Sequence, residues 1–363
     1  MIVVFAVAAS LTAGLMLLVA PLAQRIGLVD SPGGRKQHHA ATPLVGGVAI
    51  FCAFMLLVLT LDVSLSQWRS LFLAGALVFI VGLLDDFRET PPSARFIAQI
   101  GAALLIVLWG NIRLENLGFL LGEVSSVEPG WLTVPFSVFC VVGIINATNM
   151  MDGMDGLCGG LLLILFSVLL GLAWHGGLFQ DALLLALICG GLSGFLLLNF
   201  RFRESRPATV FLGDAGAMFL GLAAAWFMIR FTQEPVMQLR PITAVWLFGL
   251  PIMDTVAIML RRMRRGRSPF APDREHLHHI LLVAGFGVRT TVMIMLAVSL
   301  LLGLGGLLGE WLHVPDVYMF YGFLLIFFFY YQGMNRAWKR LKTLHNGPDH
   351  VQAKPKLESG AGV

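Results

Sequence analysis

Apolar residues run along this chain in long blocks separated by short polar connections. Eleven blocks stand out, at roughly 2–24, 44–61, 70–84, 96–110, 131–148, 157–174, 182–200, 215–231, 242–260, 291–309 and 317–333. A hydrocarbon layer of about 30 Å takes about 20 helical residues to cross, with a tolerance of a few either way. Lipid offers no partner for a free N–H or C=O, so each block is predicted to be a helix. The pattern therefore predicts an all-α, polytopic integral membrane protein with about eleven transmembrane helices. Block 70–84 is short, and only a polar interruption separates 131–148 from 157–174.

Composition agrees with that reading. Of 363 residues, 57% are hydrophobic and 13% charged, about half the charge of a soluble domain. A soluble fold could not hide so much apolar surface. Cys52, Cys140, Cys158 and Cys189 lie in apolar blocks without ligand spacing, and read as small core residues. Residues 1–24 carry no Lys or Arg, so the positive start of an ordinary signal peptide is missing. Residues 1–343 read as one transmembrane domain, and 344–363 as a polar cytoplasmic tail expected to be disordered.

The placement of charge sets an expected orientation. With the connections numbered alternately, one set (25–43, 85–95, 149–156, 201–214, 261–290 and 334–363) holds 21 of the 25 Lys and Arg. The other set holds only Arg69, Arg113, Arg230 and Arg240. Basic loops stay in the cytoplasm, which predicts the N-terminus outside and the C-terminus inside. A net charge of +4 gives weak attraction to anionic lipid or nucleotide, and no nucleic-acid partner is expected.

The acids and amides gather on the same side as the basic loops. Asp85, Asp86, Asn149, Asp152, Asp155 and Asp214 all fall at predicted cytoplasmic helix ends, in three different connections. In LLDDFRE (83–89) two adjacent carboxylates end a helix, where acid opposes the macrodipole. A hydrated helix end is the plain reading. A cation would remove the conflict, and Mg²⁺ favours carboxylate and phosphate oxygens. In NATNMMDGMDG (146–156), Asn146, Asn149 and Asp152 share one face if the helix continues that far, and Gly153 and Gly156 then break it. That is more than an Asx-rich turn requires. In VFLGDAGAMF (210–219), Asp214 is placed to N-cap the next helix, a role that does not exclude metal ligation. A helix N-terminus beside a metal is also a phosphate site.

Cationic donors complete the set. In the basic connection 261–287, Pro272 and Asp273 mark a helix start and Gly285 a stop. Arg274 and His278, and likewise Glu275 and His279, are spaced i, i+4, while His276 and His279 are spaced i, i+3. Three histidines invite a zinc reading, but the H-x-H-H spacing lacks the HExxH logic, and donors to phosphate or sugar hydroxyls are the favoured reading. Most arginines of 261–267 read as a positive-inside flank. Arg35 and Lys36, in a turn-rich first loop, are candidate phosphate contacts. Asp254 lies inside block 242–260, about 9 Å of helix rise from its cytoplasmic end. An intramembrane carboxylate is usually functional. Pro251, one turn earlier, offers a structural reason instead, and the two readings stand level.

Acids, Mg²⁺ and cationic donors are the equipment of phosphoryl transfer, which needs positioning and charge neutralisation above all. At a bilayer face, one substrate comes from water and the other from lipid. An ion-coupled transporter is the competing class, but it would place acids at mid-bilayer and commonly shows repeated halves. Alcohol phosphotransferases acting on CDP-activated lipids also use Asp-Gly motifs. They require an Ala-Arg that is missing after Asp155-Gly156.

Several blocks resemble the polyprenyl-phosphate N-acetylhexosamine-1-phosphate transferase family: RIGLVDSPGGRKQHHAATPLVGG, GLLDDFRE, NATNMMDGMDG, VFLGDAG, PIMDT and SPFAPDREHLHH. They occur in the family's order, from about residue 20 to 340. The REHLHH block looks like the undecaprenyl-phosphate N-acetylglucosaminyl branch rather than the muramyl-pentapeptide branch. The resemblance implies a Mg²⁺-dependent enzyme, with Mn²⁺ as a possible substitute, that moves N-acetylglucosamine 1-phosphate from UDP-N-acetylglucosamine to undecaprenyl phosphate. UMP leaves, and a lipid-linked precursor of O-antigen or a related envelope polysaccharide remains. Another UDP-N-acetylhexosamine is the alternative donor. The resemblance implies Asp214 as a metal ligand, Asn149 as a second, and Asp85 and Asp86 flanking metal and phosphates. It implies Asp152 and Asp155 in catalysis or nucleotide binding. Arg274, His276, His278 and His279 would hold the sugar nucleotide, with Lys36 and Asn146 as further substrate contacts. It further implies the bacterial inner membrane, a cytoplasmic site and a possible homo-oligomer.

Overall fold

The computed structural model describes residues 1–30, 41–61, 63–88, 90–266, 268 and 276–345. Arg35, Lys36, Arg274 and Glu275, and the tail from 346 on, lie outside the described residues.

Each of the eleven apolar blocks contains helix. Among the described residues, nine helical stretches are long and apolar enough to cross a membrane. They are α1 (Ile2–Ile26), α3 (Leu65–Phe87), α4 (Pro92–Leu104, continued by one π turn, Leu105–Trp109), α5 (Thr133–Met151, entered by the 3₁₀ turn Gly130–Leu132), α6 (Leu157–His175), α7 (Phe179–Asn199), α8 (Gly213–Thr232), α12 (Val288–Trp311) and α13 (Asp316–His345). The helix α2 (Gly46–Thr60) is apolar but only 15 residues long. Block 242–260 is not one straight helix. It is broken into α9 (Pro241–Leu247) and α10 (Gly249–Arg264), bent by 80°. Pro251 explains the break: it has no N–H for the Leu247 carbonyl, and its ring crowds that carbonyl. A seven-residue helix, α11 (Leu277–Val283), follows. The only strands among the described residues are β1 (Val29–Asp30) and β2 (Thr42–Pro43), an antiparallel pair with Val29 opposite Pro43. The protein is a helical, multi-pass membrane protein.

The bundle is organised around α8, whose span is 94% buried. Helices α2, α3 and α5 pack against it, α1 and α6 pack on α7, and α12 on α9. Small residues make the approach possible. A Cβ at Gly47 would come within 2.3 Å of the Gly216 backbone, so only glycine lets α2 and α8 touch there. The contact brings the starts of both helices together: Gly46 and Gly47 donate their N–H groups to the carbonyls of Phe211 and Leu212, at 2.9 and 2.8 Å. All four cysteines are free. Cys158 and Cys189 are buried as expected, Cys140 is half-buried, and Cys52 is exposed on α2.

The opposite end of the bundle holds the four isolated arginines, each with a partner. Arg69 lies over the Trp109 ring at 4.7 Å. Arg113 pairs with Glu115 at 2.6 Å and Arg230 with Asp181 at 2.8 Å. Arg240 bridges Glu310 (3.1 Å) and Asp316 (2.8 Å). Partnering is what makes an arginine tolerable near an apolar interior.

Candidate active site

The two adjacent carboxylates at the end of α3 face different partners, as residues about 100° apart on a helix must. Asp86 turns toward α8. Its Oδ1 accepts the N–H of Asp214 at 2.8 Å, and its Oδ2 accepts that of Ala215 at 3.1 Å. These are the unpaired amides of the first turn of α8. Gly213 makes room for the contact. Its φ is +78°, and a Cβ there would stand 2.6 Å from Asp86 Oδ2. Asp86, not Asp214, therefore caps α8. The helix starts two residues earlier than the apolar block, so Asp214 sits inside its first turn rather than before it.

Asp85 turns to the neighbouring connection. Its Oδ1 accepts the N–H and the O–H of Thr90, both at 2.6 Å. Its Oδ2 accepts from Arg95, at the start of α4, at 2.6 Å. Arg95 also reaches Asp214 Oδ2 at 3.5 Å. The Asp85 and Asp214 carboxyls interact directly, and Asn149, near the end of α5, donates its side-chain amide to Asp214 Oδ1. Four helices thus deliver Asp85, Arg95, Asn149 and Asp214 to one point. Of the two carboxylates Asp214 is the more open: its side chain is 30% exposed, against 7% for Asp85.

The turn between α5 and α6 supplies the next residues. Asp152 is the last residue capping α5. Burial first, then the negative neighbours Asp214, Asp86 and Asp155, hold its carboxyl well above the usual carboxylate range. Asp155 points elsewhere, accepting from Arg201 Nε at 2.6 Å and from the Ala208 N–H at 3.0 Å. It fastens the α7–α8 connection to the turn. Asn146 lies one turn inside α5, where its amide donates to Gln99 at 2.7 Å and to the Val142 carbonyl at 2.8 Å.

The histidine block stands beside this turn. His276 precedes α11 instead of lying within it. Its ring stacks on His278 at 5.2 Å, with an interplanar angle of 8°, and His278 meets His279 at 4.2 Å. His278 is 2% exposed, and a Cβ at Gly153 would come 3.2 Å from its Nε2. Burial first, then His279 and His276, push its imidazole down to about 3. It is a neutral ring packed against the Asp152–Asp155 turn. Asp254 on α10 is fully buried, and its Oδ2 lies 2.7 Å from His276 Nδ1. The structure thus brings together residues from five of the sequence motifs. Among the described residues, no three His, Cys, Asp or Glu side chains converge closely enough to hold a metal by themselves.

Comparison with known proteins bears on this arrangement. Residues 68–232 match the family described as Glycosyl transferase family 4. Over 322 residues, 88% of this chain and 86% of the relative, the sequence is 37% identical to the undecaprenyl-phosphate alpha-N-acetylglucosaminyl 1-phosphate transferase of Escherichia coli (strain K12). The chain belongs to this family of polyprenyl-phosphate sugar-1-phosphate transferases. Relatives with the same name in Haemophilus influenzae (35% identical, 89% of this chain and 91% of the relative) and Yersinia pestis (34% identical, 88% and 87%) extend the likeness. The protein is an enzyme, a glycosyl-1-phosphate transferase. The family match spans α3 to α8 and contains the whole Asp85–Asp214 cluster. It ends before Asp254 and the histidines.

For a sugar-1-phosphate transferase the cluster has a clear chemical logic. Two carboxylates share one guanidinium, which leaves local negative charge for a hard cation, and that cation can also bind phosphate oxygens. Arg95 was not singled out in the sequence, because it reads as one more positive-inside residue. Tyr330 was missed too. It sits in an aromatic run on α13 and gives no local signal, yet its hydroxyl donates to Asp254 Oδ1 at 2.6 Å.

Proposed function

We propose that this enzyme transfers N-acetylglucosamine 1-phosphate from UDP-N-acetylglucosamine to undecaprenyl phosphate, releasing UMP, at the cytoplasmic face of a bacterial inner membrane. The observation that carries the reading is the meeting of Asp85, Asp214, Asn149 and Arg95 at one end of the bundle. That end also holds the histidines. The relatives' shared name supports the donor and the acceptor. The product would start O-antigen or a related envelope polysaccharide.

The donor set fits Mg²⁺, or Mn²⁺ in its place. Asp214 is the more exposed carboxylate of the pair, Asp85 lies against it, and Asn149 donates to Asp214. Mg²⁺ commonly takes only one or two carboxylates and completes its shell with water and substrate phosphate, so three converging protein ligands are not required. When bound, the ion neutralises charge on the reacting phosphates.

The reaction needs little base catalysis. A phosphomonoester has its second pKa near 6, so the lipid phosphate arrives largely dianionic at neutral pH. One of its oxygens attacks the β-phosphorus of the donor, a P–O bond forms, and the bond to the α-phosphate breaks. The electron pair leaves with UMP. Arg95 stabilises negative charge beside Asp85 and Asp214, and Asp86 holds the α8 start in register. Burial and the negative neighbours Asp214, Asp86 and Asp155 raise the Asp152 carboxyl, which favours its neutral form over a further negative charge beside the phosphates. Attack by Asp on the donor is the rival route. Stereochemistry at a chiral phosphorus separates them, with inversion expected and net retention excluding the single step.

The direct assay is UMP release by detergent-solubilised protein given UDP-N-acetylglucosamine, undecaprenyl phosphate and Mg²⁺. Dependence on all three is expected. Equal or better turnover with UDP-N-acetylgalactosamine reassigns the donor, and no turnover with any UDP-amino sugar refutes the reading.

A further inference from the structure

Asp254 is the most enclosed carboxylate of the site region, at 0% exposure, and it touches neither the Asp85–Asp214 pair nor Asp152 through any hydrogen bond. Its own bonds reach the start of α11 and the middle of α13. Oδ2 meets His276 Nδ1 at 2.7 Å, and Oδ1 accepts the Leu277 N–H at 3.0 Å and the Tyr330 hydroxyl at 2.6 Å. An ionised carboxylate can only accept, so its contact with His276 Nδ1 places the proton of that ring on Nδ1.

Such a group is costly for a purely structural task. Capping a seven-residue helix does not need a carboxylate buried in a bundle, where an apolar pair of similar volume is commonly as stable. What Asp254 does that an apolar residue cannot is select one tautomer and one orientation of a neighbouring imidazole. The histidine it selects leads on to the site. His276 stacks on His278, and His278 packs on Gly153 beside Asp152.

We propose that Asp254 and Tyr330 are positioning residues for the sugar-nucleotide donor: together they lock His276 with Nδ1–H directed at Asp254 and Nε2 turned away from it, ready to meet the substrate. This rests on the functional reading above. Tyr330 matters because it belongs to α13, so the last helix helps to set the geometry of the donor site. A carboxylate that fixes a histidine tautomer is worth about ten- to a hundredfold where it has been removed behind a ligating histidine.

A double-mutant cycle tests the proposal on full-length protein in detergent. The variants are Asp254→Asn, Tyr330→Phe, His276→Asn, and each of the first two combined with His276→Asn. Kinetics are read against UDP-N-acetylglucosamine and undecaprenyl phosphate separately, and UDP-N-acetylglucosamine affinity by thermal shift. Asp254→Asn is expected to raise the donor KM and weaken donor affinity about tenfold or more, leaving the acceptor KM unchanged. Tyr330→Phe is expected to do the same by about two- to fivefold, as befits one hydrogen bond. Neither should add to the loss caused by His276→Asn, because both act through that ring. Losses that multiply with His276→Asn, or that fall equally on both substrates, overturn the proposal. Should Asp254→Asn fail to fold, the Tyr330→Phe cycle decides by the same two criteria. Wild-type protein that releases no UMP from UDP-N-acetylglucosamine overturns the functional reading as well, whereas an active wild type with additive variants overturns the positioning role alone.

Discussion

The carboxylate of Asp86 accepts the backbone N–H of Asp214 at 2.8 Å, so one acid of the α3 pair closes the helix whose own acid lies against the other. Asp86 therefore has a structural duty that its twin lacks. Replacing a capping acid by alanine costs about 0.5–2 kcal/mol. Asp86→Ala is expected to lower the melting temperature in detergent, followed by intrinsic tryptophan fluorescence, and to lose activity as α8 frays. An unchanged melting temperature would show that the cap carries no stability.

Asp214 stands in the opposite relation to stability. It lies against Asp85, and among the described residues Arg95 is the cation paired with both. Asp214→Asn removes one charge and keeps an acceptor for the Asn149 amide, so the protein should melt no lower than wild type. Turnover should fall at least about a hundredfold, the scale lost with a single group that stabilises reacting charge. Activity like the wild type's would remove Asp214 from the reaction.

The proposed metal dependence can be tested on the same pair. A ligand that binds only the folded state stabilises it by an amount that grows with the logarithm of its concentration. Millimolar Mg²⁺ is expected to raise the melting temperature of the wild-type protein, and chelation with EDTA to reverse the rise and stop UMP release. The rise should be missing in Asp214→Asn. A Mg²⁺-induced shift of the same size in that variant would place the ion elsewhere.

How much of this was legible in the sequence depends on the range of the interaction. The helices were, because lipid forces every apolar block to satisfy its own backbone, and each block does contain helix. The α9–α10 break is half visible: Pro251 marks the place, but the 80° bend depends on how α9 and α12 pack. Local sequence points to the nearest acid, Asp214, as the cap of α8, because it cannot show an acid 128 residues away docking on that turn. Tyr330 and Arg95 were hidden for a similar reason. Each resembles its surroundings in sequence, one as an aromatic among aromatics and the other as a basic loop residue, and only tertiary contact gives it a role.

Acid sensitivity has an identifiable source in His278. Its imidazole is pushed down to about 3 in the folded protein, chiefly by burial. In the unfolded chain it titrates near 6.5. Between those values the unfolded state takes up a proton that the folded state refuses. This contribution to stability is intact above about pH 6.5 and is lost progressively as the pH falls toward 3, by at most about 1.4 kcal/mol per pH unit. His278→Phe keeps a planar ring and removes the titration. Melting temperatures at pH 7.5, 6.0 and 5.0 should fall less steeply in that variant than in the wild type, and parallel slopes would exclude His278 as the source.

The orientation of the bundle can be tested by labelling, because its two ends differ in kind. The end with Arg69, Arg113, Arg230 and Arg240 also carries exposed tryptophans at helix ends: Trp109, Trp131, Trp174 and Trp311. Amphipathic rings of this sort settle at a membrane–water boundary. The other end carries the site and most of the basic residues. Val124, 98% exposed in the connection before α5, is therefore expected to face the outside, and Ser205, exposed between α7 and α8, the cytoplasm. In intact cells (spheroplasts, where an outer membrane is present) a membrane-impermeant maleimide should label Val124→Cys over the background of the parent chain. Ser205→Cys should label only after permeabilisation. The reverse pattern would put the carboxylate cluster on the outer face, away from cytoplasmic nucleotide, and would sink the assignment of a UDP-sugar as donor.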